Sequence, residues 1–185
     1  MDFNLNEFES PVGIIYVITD KKSLRAVDFS SYEERMHRLL KRHYGEYTLH
    51  PNQKSNDAAS RLKAYFSGDI RAIEGIPTAT NGTDFQKAVW AALCTIPAGT
   101  TLSYGALAAK IGRPKASRAI GLANGSNPIG IFVPCHRVIG SNHSLTGYGG
   151  GIERKKWLLQ HEGVEVSDKA TKSEQIASNQ PMLFS

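Results

Sequence analysis

Residues 131–140 read IFVPCHRVIG, an apolar run with cysteine, histidine and arginine side by side at its centre. This run constrains the fold more than any other stretch. The flanking Ile, Phe and Val require burial, and a buried polar group costs roughly 2–7 kcal/mol unless it is hydrogen-bonded. The fold must therefore bring partners to Cys135, His136 and Arg137. Two readings are open. In one, Cys135 packs as a small hydrophobe, His136 is a satisfied core residue and Arg137 pairs with a carboxylate. In the other, Cys135 is a nucleophile and needs a base or positive surroundings to become a thiolate. Adjacent side chains on an extended strand point to opposite faces, so a Cys135–His136 couple needs a water between them or a local turn. A third group would then orient the imidazole. Glu162 is a candidate, because a carboxylate in the last turn of a helix faces the negative end of the dipole and so breaks a local rule; a solvated surface glutamate is the other reading of that position.

The periodicity divides the chain. VGIIYVIT and LRAVDF are β-prone runs joined by Asp20–Ser23, a hairpin-like pair. Met36, Leu39, Leu40 and His43 recur at helical spacing between Tyr32 and Tyr44, and a second helix is expected over Asp57–Phe66 with Gly68 as its stop. SGDIRAIEGIPTATNG is a connector, which puts the boundaries at 1–80 for an α/β unit and 81–166 for a second domain. There Thr83 and Gln86 form a capping box before the stripe Phe85, Val89, Ala92, Leu93, Ile96. Ser103 is placed to cap the next helix, stapled by Leu102 and Leu107 and stopped by Gly112. After the GRP turn, Pro114 suits the first position of another helix burying Ala116, Ala119, Ile120 and Ala123, with Arg118 outward on a face shared with Gly121 and Gly125. Two short helices joined by such a turn make a helix-turn-helix. A last helix is expected from Ile152 to Glu162, with Gly163 beyond it.

Charge follows the same division. Residues 1–83 carry 11 basic and 11 acidic side chains, whereas residues 84–163 carry 9 basic against 3 acidic. The excess of positive charge on one segment suits either a polyanion or a solvated basic face. Only Cys94 and Cys135 are present, without zinc-ligand spacing, and Cys94 is expected as a packed core thiol. No apolar run approaches the roughly 20 residues that span a bilayer. The start, MDFNLNEFES, lacks a basic stretch followed by an apolar one, so a cytoplasmic protein without membrane contact is expected.

SYGALA, SRAIGLANGSNP, VPCHRVIG and LTGYGGGIERKKWLLQHEG, in that order, resemble the O6-alkylguanine-DNA alkyltransferases, also called methylated-DNA–protein-cysteine methyltransferases, and most of all their constitutive bacterial form. The likeness covers essentially all of residues 84–163, and more loosely the first unit. It implies an α+β fold, with a small RNase H-like three-stranded N-terminal domain and a helical domain whose helix-turn-helix enters the minor groove of double-stranded DNA. The implied reaction is direct repair, in which O6-alkylguanine, and O4-alkylthymine as a further substrate, is flipped out and its alkyl group moved irreversibly to Cys135. By the same resemblance His136 is a water-mediated base, Glu162 its orienting carboxylate and Asn127 the hinge asparagine. Arg118 fills the place of the extruded base, and Tyr104 crowds the phosphate and can donate a proton to the leaving guanine. Tyr148 and Gly149 form a wall of the base pocket, with Val138 and Trp90 as neighbours, and Ser103, Gly121 and Asn124 join the DNA surface. No metal or cofactor is implied, and a monomer is expected.

Two other classes would use the same residues. A lesion-binding protein would flag damage without transfer, which only a blocked Cys135 would allow. A Cys-His hydrolase would leave the basic helix-turn-helix without a purpose. The polar tail, residues 167–185, is expected to be disordered, and its NQPMLFS ending resembles, at Gln180, Leu183 and Phe184, the peptide that docks on bacterial sliding clamps.

Overall fold

The computed structural model describes residues 1–166 apart from 53 and 55. Strands β1 (Asp2–Ser10), β2 (Gly13–Thr19) and β3 (Leu24–Phe29) run antiparallel in sequence order. The expected hairpin joins β2 to β3, with Asp20 Oδ1 accepting from the backbone amides of Lys22 and Ser23. Helix α1 (Glu33–Tyr44) follows, then β4 (Thr48–Pro51) beside β1 in parallel, and α2 (Asp57–Phe66). The sheet order is β3-β2-β1-β4, so it has four strands where three were expected. The sequence hides β1 and β4 for a physical reason. β1 buries only Phe3 and Asn6 and is otherwise largely polar, and β4 is four residues long and ends in proline, as edge strands do.

Period-2 alternation sends β2 and β3 side chains to both faces of the sheet. Ile18, Ala26 and Phe3 pack with Met36 and Leu40 of α1. Ile15, Val17, Val27 and Phe29 face the other way, into a larger core shared with Leu62 and Tyr65 of α2 and with the second half of the chain. Both faces are covered, which is why VGIIYVIT reads as a continuous apolar run.

The second half is helical: α3 (Asp84–Leu93), α4 (Tyr104–Lys110), α5 (Ser117–Gly125) and α6 (Ile152–His161). The Thr83–Gln86 capping box closes reciprocally, at 3.2 Å from the Gln86 amide to Thr83 Oγ1 and 2.9 Å from the Thr83 amide to Gln86 Oε1. Ser103 caps α4 through the Ala106 amide at 3.1 Å. Short strands β5 (Leu102–Ser103) and β6 (Val138–Ile139) pair in parallel.

Three expectations change here. α5 begins at Ser117, because Arg113–Ala116 closes into a turn that holds Pro114 outside the helix. Its buried stripe is Ile120, Ala123 and Asn124, which leaves Ala119 exposed. Cys94 is exposed at the end of α3 rather than packed in the core.

The two halves are stitched at backbone level. The edge of β3 takes residues 128–130 as an extra bridge: the Val27 amide donates to Pro128 O and the Gly130 amide to Val27 O, both at 2.9 Å. Arg35 of α1 reinforces this seam. Its guanidinium pairs with buried Asp28 and donates to Gly125 O at 2.8 Å and Asn127 O at 3.1 Å. Gly149 lies directly over that guanidinium, where a Cβ would fall 2.5 Å from it, so glycine is what lets the 145–151 loop close down. Arg35→Ala would leave Asp28 buried without its partner. A loss of about 3 kcal/mol in unfolding free energy is expected in a denaturant titration, and an unchanged midpoint would mean the seam does not depend on the pair.

Candidate active site

The chain does not run extended through IFVPCHRVIG. Cys135–Arg137 forms a single 3-10 turn, fully buried, entered from Pro134 and left into β6. This is the local turn that a Cys–His neighbour pair requires.

Cys135 is held from α5 and the residues just after it. Asn127 Nδ2 lies 3.1 Å from Cys135 Sγ and 2.8 Å from Val133 O, while its Oδ1 accepts from the Ile129 amide at 3.0 Å. Asn124 Nδ2 donates to Cys135 O at 3.1 Å. Burial pushes the Cys135 thiol up from its ordinary range, opposed by the Asn127 hydrogen bond and by the positive charges of Arg35 and Lys155. In this resting arrangement the thiol keeps its proton, so activation needs a base.

His136 sits beside it, 0% exposed. Its Nε2 is 3.0 Å from Glu162 Oε1, and its Nδ1 has no hydrogen-bond partner. Burial pulls the imidazole's pKa below its ordinary value even though Glu162 pulls the other way. The neutral ring therefore donates through Nε2–H to the carboxylate, which leaves the Nδ1 lone pair free to accept a proton.

Glu162 follows the last residue of α6 and is buried, not solvated. Its Oε1 accepts from His136, from Arg137 Nη2 at 2.8 Å and from Tyr65 Oη at 2.9 Å, and its Oε2 accepts from Arg137 Nε at 2.8 Å. Burial alone would raise the carboxyl pKa, but the hydrogen bonds from His136 and Arg137 outweigh it and hold the group well below the usual carboxylate range. Arg137 is the permanent counter-charge here, since the neutral His136 contributes a hydrogen bond rather than a charge. The paired guanidinium also explains how a carboxylate persists at the negative end of a helix.

The loop before α6 forms the far wall. Tyr148 meets the His136 ring edge-on at 6.5 Å between centroids, and its buried hydroxyl has no hydrogen-bond partner. Burial raises its pKa far enough to keep the phenol protonated. Tyr104 Oη donates to Thr146 O at 3.1 Å, which ties the first residue of α4 to this loop. Lys155 of α6, also fully buried, donates to Val138 O at 2.6 Å and to the same Thr146 O at 2.7 Å.

Cys135, His136, Glu162, Asn127 and Tyr148 thus converge, Tyr104 and Val138 are joined to them through Thr146 and Lys155, and other predicted residues lie elsewhere. Arg118 is exposed on the outward side of α5, and Gly121 lies against the Tyr104 ring. Asn124, expected on the DNA surface, is 3% exposed and serves Cys135 instead, because α5 turns its Ile120–Asn124 face inward. Ser103 spends its hydroxyl on the helix cap. Trp90 is a core residue beneath α5, donating to Ala123 O at 2.9 Å. Arg137 pairs with a carboxylate, Glu162, as one reading of the sequence expects, whereas Tyr65, Lys155 and Arg35 are site residues that the sequence reading does not include. Lys155 carries a signal in hindsight, a lysine on the apolar stripe of Ile152, Leu158 and Leu159. Tyr65 carries none. Among the described residues no cluster of side chains is arranged to hold a metal ion.

Comparison with known proteins agrees with this architecture. Residues 7–80 match the family domain described as "6-O-methylguanine DNA methyltransferase, ribonuclease-like domain", and residues 84–164 match the "6-O-methylguanine DNA methyltransferase, DNA binding domain". The methylated-DNA–protein-cysteine methyltransferase of Shigella flexneri is 50% identical over 157 residues, 83% of this chain and 92% of that protein. That of Methanosarcina acetivorans is 44% identical, over 84% of this chain and 96% of its own length. The crystal structure of Mycobacterium tuberculosis OGT in complex with DNA superposes with a TM-score of 0.73 at 41% identity, covering 86% of this chain and 93% of that one. With both domains and near-complete coverage of its relatives, the chain belongs to the methylated-DNA–protein-cysteine methyltransferase family.

Proposed function

We propose that this protein repairs DNA by taking the alkyl group from O6 of guanine onto Cys135, once per molecule. One observation carries the reading: a buried thiol held by Asn127 on the same 3-10 turn as a His136–Glu162 couple, in a chain of this family. A lesion stacked in a duplex is out of reach of a buried thiol, so the nucleotide must swing out, at a cost of a few kcal/mol. Arg118, exposed on α5, fills the vacated place. The basic surface of residues 84–163 grips the phosphates and offsets the cost, a contribution that weakens with salt. Tyr148 and Gly149 wall the base pocket, with Val138 behind.

In the transfer, the Cys135 proton passes through a water to His136 Nδ1, and Glu162 stabilises the imidazolium that forms. Sulfur attacks the alkyl carbon, the S–C bond forms, and the C–O6 electron pair returns to the guanine. Tyr104 supplies a proton to the departing base. A thioether is a poor leaving group and nothing nearby would remove it, so each molecule reacts once. O4-alkylthymine is proposed as a second substrate on the same chemistry. The protein works as a cytoplasmic monomer. Among the described residues no helix is long and apolar enough to cross a membrane.

Incubation with duplex DNA containing O6-methylguanine is expected to add one methyl to the Cys135 peptide, saturating at one per protein by mass spectrometry. Tight lesion binding without mass gain would make the protein a damage sensor instead. Arg118→Ala should slow transfer from duplex DNA by roughly 10- to 100-fold, the equivalent of about 1.4–2.8 kcal/mol of lost help with extrusion. Transfer from free O6-alkylguanine base, which needs no extrusion, should keep its rate; equal losses on both would rule out that role. Gln180, Leu183 and Phe184 lie outside the described residues, and we propose them as a sliding-clamp peptide on their sequence alone. Deleting residues 180–185 should abolish binding to a purified bacterial clamp, and unchanged binding would end the idea.

A further inference from the structure

We infer that Tyr65, contributed by the N-terminal domain, is a positioning residue that tunes the His136–Glu162 couple through its hydroxyl. The inference rests on the alkyltransferase reading above and concerns a residue that reading does not use.

Tyr65 lies on the buried face of α2 with Ala58 and Leu62 and is 0% exposed. A phenylalanine would fill such a site without a polar group to satisfy. The hydroxyl instead ends 2.9 Å from Glu162 Oε1, the same oxygen that His136 Nε2 approaches at 3.0 Å. The ring has little freedom to leave. It packs edge-on against Phe66 and His161 at 5.2 and 5.0 Å between centroids, and His161 Nε2 lies 2.7 Å from the Tyr65 carbonyl oxygen. Phe66 packs against Trp157 of α6 at 5.7 Å. The end of α2 is thus locked to the end of α6, where Glu162 sits. Burial beside a carboxylate holds the phenol's pKa far above its ordinary value, so the hydroxyl always donates.

Three donors on one oxygen share its charge. The Tyr65 hydrogen bond therefore weakens the pull of Glu162 on His136 Nε2–H and keeps the imidazole neutral, with Nδ1 available as the base. The charged and titratable groups around the couple come from four elements. They are His136 and Arg137 on the 3-10 turn, Tyr65 on α2, Cys94 after α3, and Lys155 and His161 on α6, with Tyr148 against the His136 ring. Only Tyr65 among them both touches Glu162 and belongs to the N-terminal domain.

Tyr65→Phe removes the hydroxyl and keeps the ring. Single-turnover methyl transfer to Cys135 from O6-methylguanine duplex would be followed from about pH 5.5 to about pH 9 in the full-length protein. Losing a donor makes the couple hold its proton more tightly. The acid limb of the profile should then move up by about 0.5 pH unit, making transfer about threefold slower below the limb with an unchanged alkaline plateau. DNA affinity and the thermal midpoint report folding, and Phe66→Leu is the packing control, expected to leave the limb in place. A superposed profile, a loss equal at every pH, or the same limb shift in Phe66→Leu would each overturn the inference. An inactive wild-type protein would overturn the alkyltransferase reading and this one with it, whereas an active wild type with any of those three results overturns Tyr65 alone.

Discussion

Arg137 and Glu162 meet as a bidentate pair with both side chains out of reach of solvent. Desolvating two charges costs several kcal/mol each, and only close geometry with further hydrogen bonds offsets that. The fold supplies those bonds from several directions. Ile96 O, after α3, accepts from Arg137 Nη1 at 2.6 Å, Tyr65 donates from α2, and His136 donates from the turn itself. The pair anchors the 3-10 turn to the end of α6 and thereby fixes which way Cys135 and His136 point. A group whose charge must stay put is placed where every neighbour depends on it, and the imidazole beside it is left neutral.

The thiol end is secured differently, by amides rather than charges. Asn124 and Asn127, at the end of α5 and just beyond it, hold the Cys135 carbonyl and sulfur. The helix that carries Arg118 outward is therefore the helix that seats the thiol inward. Arg35 reaches the same place from α1 through Gly125 O and Asn127 O. Displacement of α5 by a bound duplex would be felt at Cys135 within two hydrogen bonds, which gives the helix-turn-helix a mechanical as well as an electrostatic connection to the chemistry. The two segments of the chain also share a core that runs from Ile15 to Leu158.

Much of this was legible beforehand, because it depends on local rules. The Thr83–Gln86 box, the Ser103 cap, the β2–β3 hairpin and the apolar stripes of α1 and α2 follow from turn chemistry and periodicity acting over a few residues. The motif-bearing residues Cys135, His136, Asn127 and Glu162 were legible for a different reason, as a resemblance among ordered motifs. Where a local rule met a tertiary one, the local rule lost. Ala119 turned outward once α5 packed on Ile120, Ala123 and Asn124, and a polar first strand found its place inside the sheet, between β2 and β4.

By itself the sequence determined that a reactive trio would be buried, that basic charge would gather on one half, and that two short helices would follow one another across a glycine turn. Tertiary structure alone decided who would satisfy the trio. Tyr65 and Glu162 lie 97 residues apart, and no period or spacing links a tyrosine on an apolar stripe to a carboxylate beyond another helix's end. Lys155 likewise became a buried tether only when β6 and the loop before α6 brought carbonyl oxygens to it. Partner choice among distant polar groups is set by how the elements pack, and burial makes each lost partner costly, about 1–3 kcal/mol for a group left unsatisfied.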